Sequence, residues 1–238
     1  MAHAAYVTTD LDADYAHLKT QGIEFLSEPV GTPGKRFGRF VFLKDPDGTY
    51  IQLIEAPNEP PPKPCDPAED PACPVTHLTR PHHISVNVRD FVGAREHFRL
   101  LGFSESEPLP SVSTLAEAKA MGFNRPLQII GEDIRVPAEA VESGPAVAIR
   151  LQQWLDPHDD APAYPLPITH VGIQRLVMNS DAGDNTMAAK VEMLRSQGMR
   201  LVSPGAPCCT GNDSPGGLFL WEGPGGIFLE TGGAIAPP

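Results

Sequence analysis

The chain has 238 residues, 41% of them apolar, and a formal charge of −12. That is enough apolar material for one large or two small packed cores. It argues against a nucleic-acid backbone as partner, because phosphate binding needs clustered Lys and Arg that no stretch supplies. No apolar run is long enough to span a bilayer, and Met1–Tyr6 lack a charged leader with an apolar core, so a cytoplasmic location and no membrane partner are expected. Cys65 and Cys73 lie in a proline-rich stretch and Cys208 and Cys209 are adjacent. None has the paired spacing of a zinc knuckle, and they read as free thiols; a Cys65 to Cys73 disulfide would require an oxidising compartment.

In chain order, residues 1–57 read as one βαβββ module. His3 to Thr8 predicts a strand, Leu11 to Thr20 a helix, and Ile23 to Leu26, Arg39 to Leu43 and Tyr50 to Ile54 three more strands. Asp45-Pro46-Asp47-Gly48 has turn-forming residues throughout and joins the last two strands as a hairpin. Residues 58–81 are crowded with Pro, Asp and Glu, which extends the backbone and builds no core, so they read as a linker.

From residue 82 the pattern starts again. His83 falls on His3, Asp90 on Asp10 and Gly102 on Gly22 at a constant offset. Phe91, Ala94, Phe98 and Leu101 have helical spacing. Leu115 to Met121 predicts an additional helix, Leu127 to Ile130 a strand and Val147 to Trp154 the closing strand. Pro157 to Pro167 reads as a second linker. Leu194 to Ser203 then repeats Leu18 to Ser27, so 82–157 and 168–233 are two further modules.

A lone module has a half-buried sheet and an open edge. The second and third modules, within 82–238, are therefore expected to pair. The first is left either to meet a second copy of the chain in a homodimer or to mark a chain shortened at its beginning.

Strand alternation assigns the faces. Ile84, Val86 and Val88 point to a core, and His83, Ser85 and Asn87 point the other way. In the closing strands, Arg150, Gln152 and Trp154 share the second face, as do Phe228 and Glu230. His83, Arg150 and Glu230 are thus expected to line one cup.

These residues carry a resemblance: a His opening the first strand, an Asp before the helix, a Gly after it, and a turn followed by an Ile-x-Leu or Phe-Leu-Glu strand. The pattern resembles the vicinal oxygen chelate superfamily of glyoxalases, extradiol dioxygenases, and fosfomycin and bleomycin resistance proteins. Leu18 to Glu55 is the best match. The resemblance implies an α+β fold of repeated βαβββ modules, two of them paired into a cup-shaped mixed sheet with one extra N-terminal module. It also implies a divalent metal held by a first-strand His and a last-strand Glu.

Carried over by position, it gives His3 and Gln52 in the first module, His83 and Arg150 in the second, and Arg175 and Glu230 in the third. A one-residue shift in the third offers Gln174. His83, Glu230, Gln174, His3 and Gln52 are the candidate metal ligands, and Glu230 is also the candidate base. Arg150, Arg175, Trp154 and Phe228 are the candidate substrate contacts, since guanidinium groups hold carboxylates or enolates by forked hydrogen bonds.

Two readings follow with equal weight on the cofactor. One is a lyase, isomerase or ring-cleaving oxygenase that uses Fe, Mn, Ni or Zn on a small oxygen-rich or anionic molecule. The other is a metal-free small-molecule binding protein of the bleomycin-resistance type. His82, His97, His158 and His170 are expected to carry no chemistry.

Overall fold

The computed structural model describes residues 2–31, 38–56, 58–60, 76–140, 146–158, 175–179, 187–207, 216–223 and 226–234. Gln174, His170 and the four cysteines lie outside these residues. The chain forms two units, the first made of Met1–Asn87, Ser106–Arg135 and Val147–Asp159. The second comprises Val88–Glu105, Val136–Ala146 and Asp160–Pro238. No helix among the described residues is long and apolar enough to cross a membrane.

In the first unit the elements are β1 (His3–Thr8), α1 (Leu11–Thr20), β2 (Val30–Gly31), β3 (Arg39–Lys44) and β4 (Tyr50–Glu55), followed by β5 (Leu78–Asn87). After β5 the chain forms α2 (Phe91–Leu100), which belongs to the second unit, and then β6 (Glu105–Pro108), α3 (Leu115–Ala120), β7 (Gln128–Arg135) and β8 (Ala148–Asp156). One mixed eight-stranded sheet runs in the order β2-β3-β4-β1-β5-β8-β7-β6. It curls into a half-barrel, so the α+β class, the paired modules and the cup are present.

The pair, however, is the first module with the second. β1 pairs antiparallel with β5, while β9 (Arg175–Asn179), β10 (Leu201–Pro207), β11 (Gly216–Glu222) and β12 (Phe228–Ala234) make a separate four-stranded sheet. This corrects the expected pairing of the second and third modules. The open edge of β1, which was expected to seek another chain, is satisfied within this one, and the argument for a homodimer through the first module loses its basis.

Local chemistry explains the elements. Asp10 caps α1 by accepting from Ala13 N at 3.0 Å, and Asp90 caps α2 by accepting from Gly93 N at 3.0 Å, each satisfying a donor the helix cannot. Beyond the helices, Gly22 and Gly102 take φ of 82° and 97°, the left-handed turn that favours glycine. Leu11, Val41, Leu43 and Leu53 form a buried cluster with Tyr15, Leu18 and Phe25 against it.

The strand expected at Ile23 to Leu26 shrinks to a single bridge from Phe25 to Leu43. Regular pairing resumes only at Val30, past Pro29, which has no N–H for a ladder. Conversely, β5 starts at Leu78, inside the stretch expected to be linker, because Leu78 to Pro81 pair with β1.

Asp14 fastens the start of β5 to α1. Its carboxylate is fully buried and accepts from Thr8 Oγ1 at 2.5 Å, from His77 N at 2.8 Å and from His77 Nδ1 at 3.0 Å. Asp14→Ala strands these donors and is expected to cost about 2 kcal/mol, read as a lower midpoint in thermal denaturation.

The second unit's sheet carries α4 (Met187–Ser196) in sequence between β9 and β10. Its core includes Leu176, Leu194, Trp221, Ile227 and Leu229, all nearly inaccessible. Trp221 Nε1 donates to Thr231 Oγ1 at 3.0 Å, so the indole is buried without losing its hydrogen bond.

Candidate functional site

Strand register places the candidate residues. In β1 and β4, Gln52 stands opposite Ala5, two residues beyond His3. In β5 and β8, Arg150 stands opposite Ser85, two beyond His83. In β9 and β12, Glu230 stands opposite Val177, two beyond Arg175. The three pairs therefore occupy equivalent places in three copies of one motif.

Only the first two pairs share a sheet. His3 Nε2 lies 2.9 Å from His83 Nε2, and both side chains are buried. His83 and Glu230, expected to line one cup, stand on β5 and β12, which belong to different sheets in different units. Glu230 is instead paired with Arg175 of its own sheet at 2.9 Å, and Phe228 lies on the same strand as Glu230.

In the first unit the half-barrel holds an open-mouthed cavity of about 120 Å³. Phe40, Phe42 and Ile54 of the first module and Leu127, Ile129 and Trp154 of the second line it, and His3, Gln52, Ser113, Glu117, Arg150 and Gln152 are its polar residues. The helix that the second module adds, α3, closes one side. Its buried Ala120 packs with Phe40, Phe42 and Ile54, and Met121 lies against them.

The polar groups are largely matched by the protein itself. Arg150 Nε and Nη2 donate to Asp133 Oδ1 and Oδ2 at 2.7 and 2.8 Å, a forked pair with both partners buried. The two residues stand directly opposite each other on β8 and β7. The anion expected to answer Arg150 is thus a carboxylate of the chain. Gln152 Oε1 accepts from Ser85 Oγ at 3.0 Å, and Trp154 Nε1 donates to Asn87 Oδ1 at 2.9 Å. Gln52 Oε1 differs: it is buried and has no hydrogen-bond partner among the described residues.

His82, expected to be inert, lies with its Nδ1 2.8 Å from His83 Nδ1. Neighbouring residues on a regular strand point to opposite faces, but here Ala5 pairs with His83 and Tyr6 with Pro81, which leaves His82 in a bulge that redirects it. His3, His83 and His82 thus form a chain of imidazoles. Burial, followed by the Arg150 guanidinium, pushes His82 down to about 4 and holds His83 well below the ordinary histidine range. Both are neutral at pH 7. The doublet of histidines after Pro81 and the Glu132-Asp133 pair following Ile129-Ile130 were the sequence signals for these partners.

The donor set decides how well a divalent ion would fit. The four equivalent positions hold two imidazoles, an amide and a guanidinium, with no anionic ligand and one fixed cation. The ligand atoms of His82, His83 and Asp133 do lie within 4.8 Å of one another. Both Asp133 oxygens nevertheless accept from Arg150, and each His83 ring nitrogen faces another imidazole. As they stand, these residues do not fit a resident divalent ion.

Residues 1–53 match the family model described as Glyoxalase/Bleomycin resistance protein/Dioxygenase superfamily. No curated protein matches the chain in sequence. Among solved structures, a glyoxalase I variant from Zea mays is similar at 13% identity with a TM-score of 0.56, covering 97% of this chain and 67% of the maize chain. The maize glyoxalase I itself is 14% identical with a TM-score of 0.51, and this chain spans 66% of its length. A glyoxalase family protein from Bacillus cereus is 17% identical with a TM-score of 0.53, covering 69% of this chain and all of that one. Over its first module the sequence matches the Glyoxalase/Bleomycin resistance protein/Dioxygenase superfamily, and the chain shares the fold of the glyoxalases.

Proposed function

We propose that the first two modules form a cup that binds one small molecule without the help of a metal ion, in the manner of the bleomycin-resistance type. The observation that carries this reading is the content of the four equivalent positions: His3, Gln52, His83 and Arg150 supply no anionic ligand, yet they stand at or beside an apolar-walled cavity. Such a cavity, with a few convergent polar groups, is the usual form of a small-molecule site. Arg150 is fixed by Asp133, so it shapes the floor rather than gripping an anion.

The grouping of His82, His83 and Asp133 favours a second reading, in which a cation takes the place of Arg150 on Asp133 and the protein is a metal-dependent enzyme. Elemental analysis of protein purified without chelator separates the two. The binding reading expects far less than one metal per chain after incubation with Mn, Fe, Ni and Zn, and small-molecule binding that EDTA leaves unchanged. About one metal per chain, lost in His83→Ala, would establish the enzyme reading instead.

A further inference from the structure

Each of the three modules builds four strands in the same order. β2-β3-β4-β1 and β6-β7-β8-β5 are joined at β1 and β5 into one sheet, whereas β10-β11-β12-β9 stops at β9. Among the described residues, no strand pairs with the far side of β9.

The joint between the first two modules is symmetric. β1 and β5 run antiparallel, with His3 opposite Ser85, Ala4 opposite Ile84 and Ala5 opposite His83. His3 and His83 are equivalent residues, as are Ala4 and Ile84, so the pairing is centred on equivalent positions and relates the modules as a two-fold axis would. In the third module these positions are held by Arg175, Leu176 and Val177. Two copies of β9 can therefore make the same joint, with Leu176 opposite Leu176 and each Arg175 opposite a Val177.

Burial shows what such a joint covers. His3, Ala5, His83 and Ser85 are 3% exposed or less, whereas Val177 is 58% exposed and the side chain of Arg175 is 58% exposed as well. Val177 is thus an apolar β-branched side chain left in water at a position that both joined modules bury. Arg175–Asn179 also contain none of the proline, lysine or bulge that blunts a natural edge strand.

The charges are self-complementary. Glu230 on β12 lies beside Val177, and in the joint Val177 would lie beside Arg175 of the second copy. Neighbouring strands are about 4.8 Å apart, so the arginine stem crosses Val177 and its guanidinium reaches the Glu230 carboxylate of the other chain. Glu230, which holds Arg175 of its own chain at 2.9 Å, then stands between two guanidinium groups. The two-fold repeats this row, and the arginines and glutamates balance.

We infer that the chain forms a two-fold symmetric homodimer in which the β9 strands of two copies pair antiparallel about Leu176, building a second continuous sheet whose open face carries Arg175 and Glu230 of both copies. An interface of this kind is isologous and closes on itself, so the free edge is used up in the dimer.

Sedimentation of the full chain across micromolar concentrations, with hydrogen exchange read at β9, tests this. The native chain is expected to show twice the mass of one chain and slow exchange in β9. Val177→Lys sets a lysine against Arg175 of the second copy in both rows, so association should weaken roughly ten-fold or more and β9 should exchange faster. The new lysine is exposed in the single chain and lies beside Glu230, so the variant folds, which unchanged exchange in β1 and β12 verifies. Val177→Thr, β-branched and uncharged, should keep the doubled mass. A native chain that sediments with the mass of one copy overturns the inference, and so does a dimer that Val177→Lys leaves as tight as before.

Discussion

Asp133→Ala is expected to destabilise the protein by about 3–5 kcal/mol, because it leaves the Arg150 guanidinium buried and unmatched. Side-chain exposures of 9% and 1% for Arg150 and Asp133 leave little room for water to take over the two lost hydrogen bonds. For a chain of this size the loss corresponds to roughly 6–20 °C in the melting midpoint, read by differential scanning calorimetry. The double variant Asp133→Leu with Arg150→Met should recover most of it, since an apolar pair of similar volume avoids desolvating two charges. A double variant as unstable as the single one would mean that the pair does more than satisfy itself.

The second large effect is acid lability well above the carboxylate range. An unfolded histidine takes up its proton near pH 6.5, whereas folded His82 resists protonation until about pH 4 and His83 is also held low. Between these limits the unfolded state binds more protons, so stability falls as the pH falls and is fully present only above about 6.5. His82 alone has a ceiling of roughly 3 kcal/mol, discounted to about 2 for its partial exposure, and His83 adds to it in the same direction. Denaturant melts between pH 7 and pH 5 read the effect ahead of most carboxylates. In His82→Gln the slope over that interval should become shallower. An unchanged slope would place the lability elsewhere, for example at His97, which burial also pushes down.

The repeat was legible because it is written in local chemistry. Asp10 and Asp90 cap helices, Gly22 and Gly102 end them, and these needs recur wherever the module recurs. The strand faces were legible for the same reason: alternation put Arg150, Gln152 and Trp154 together, and all three line the cavity. Pairing of modules was not legible. Alternation states which way a side chain points and says nothing about which strand lies beside it, so β5 could not be assigned to β1 in place of the third module.

Asp133 was missed because strand β7 was expected to stop at Ile130 but continues to Arg135, and only that extension brings Asp133 opposite Arg150. His82 was missed because a bulge changes the face of one residue without altering the pattern around it. Pro81 was the one local mark of irregularity there.

The account rests on a cup, built by the first two modules, that binds a small molecule without a metal ion. A crystal structure of the chain grown with Mn, Fe, Ni and Zn and without chelator tests this most directly. The expected result is no metal ion at His82, His83 or Asp133 and the Arg150–Asp133 pair intact. A metal ion on His83 with Arg150 swung away from Asp133 would contradict it.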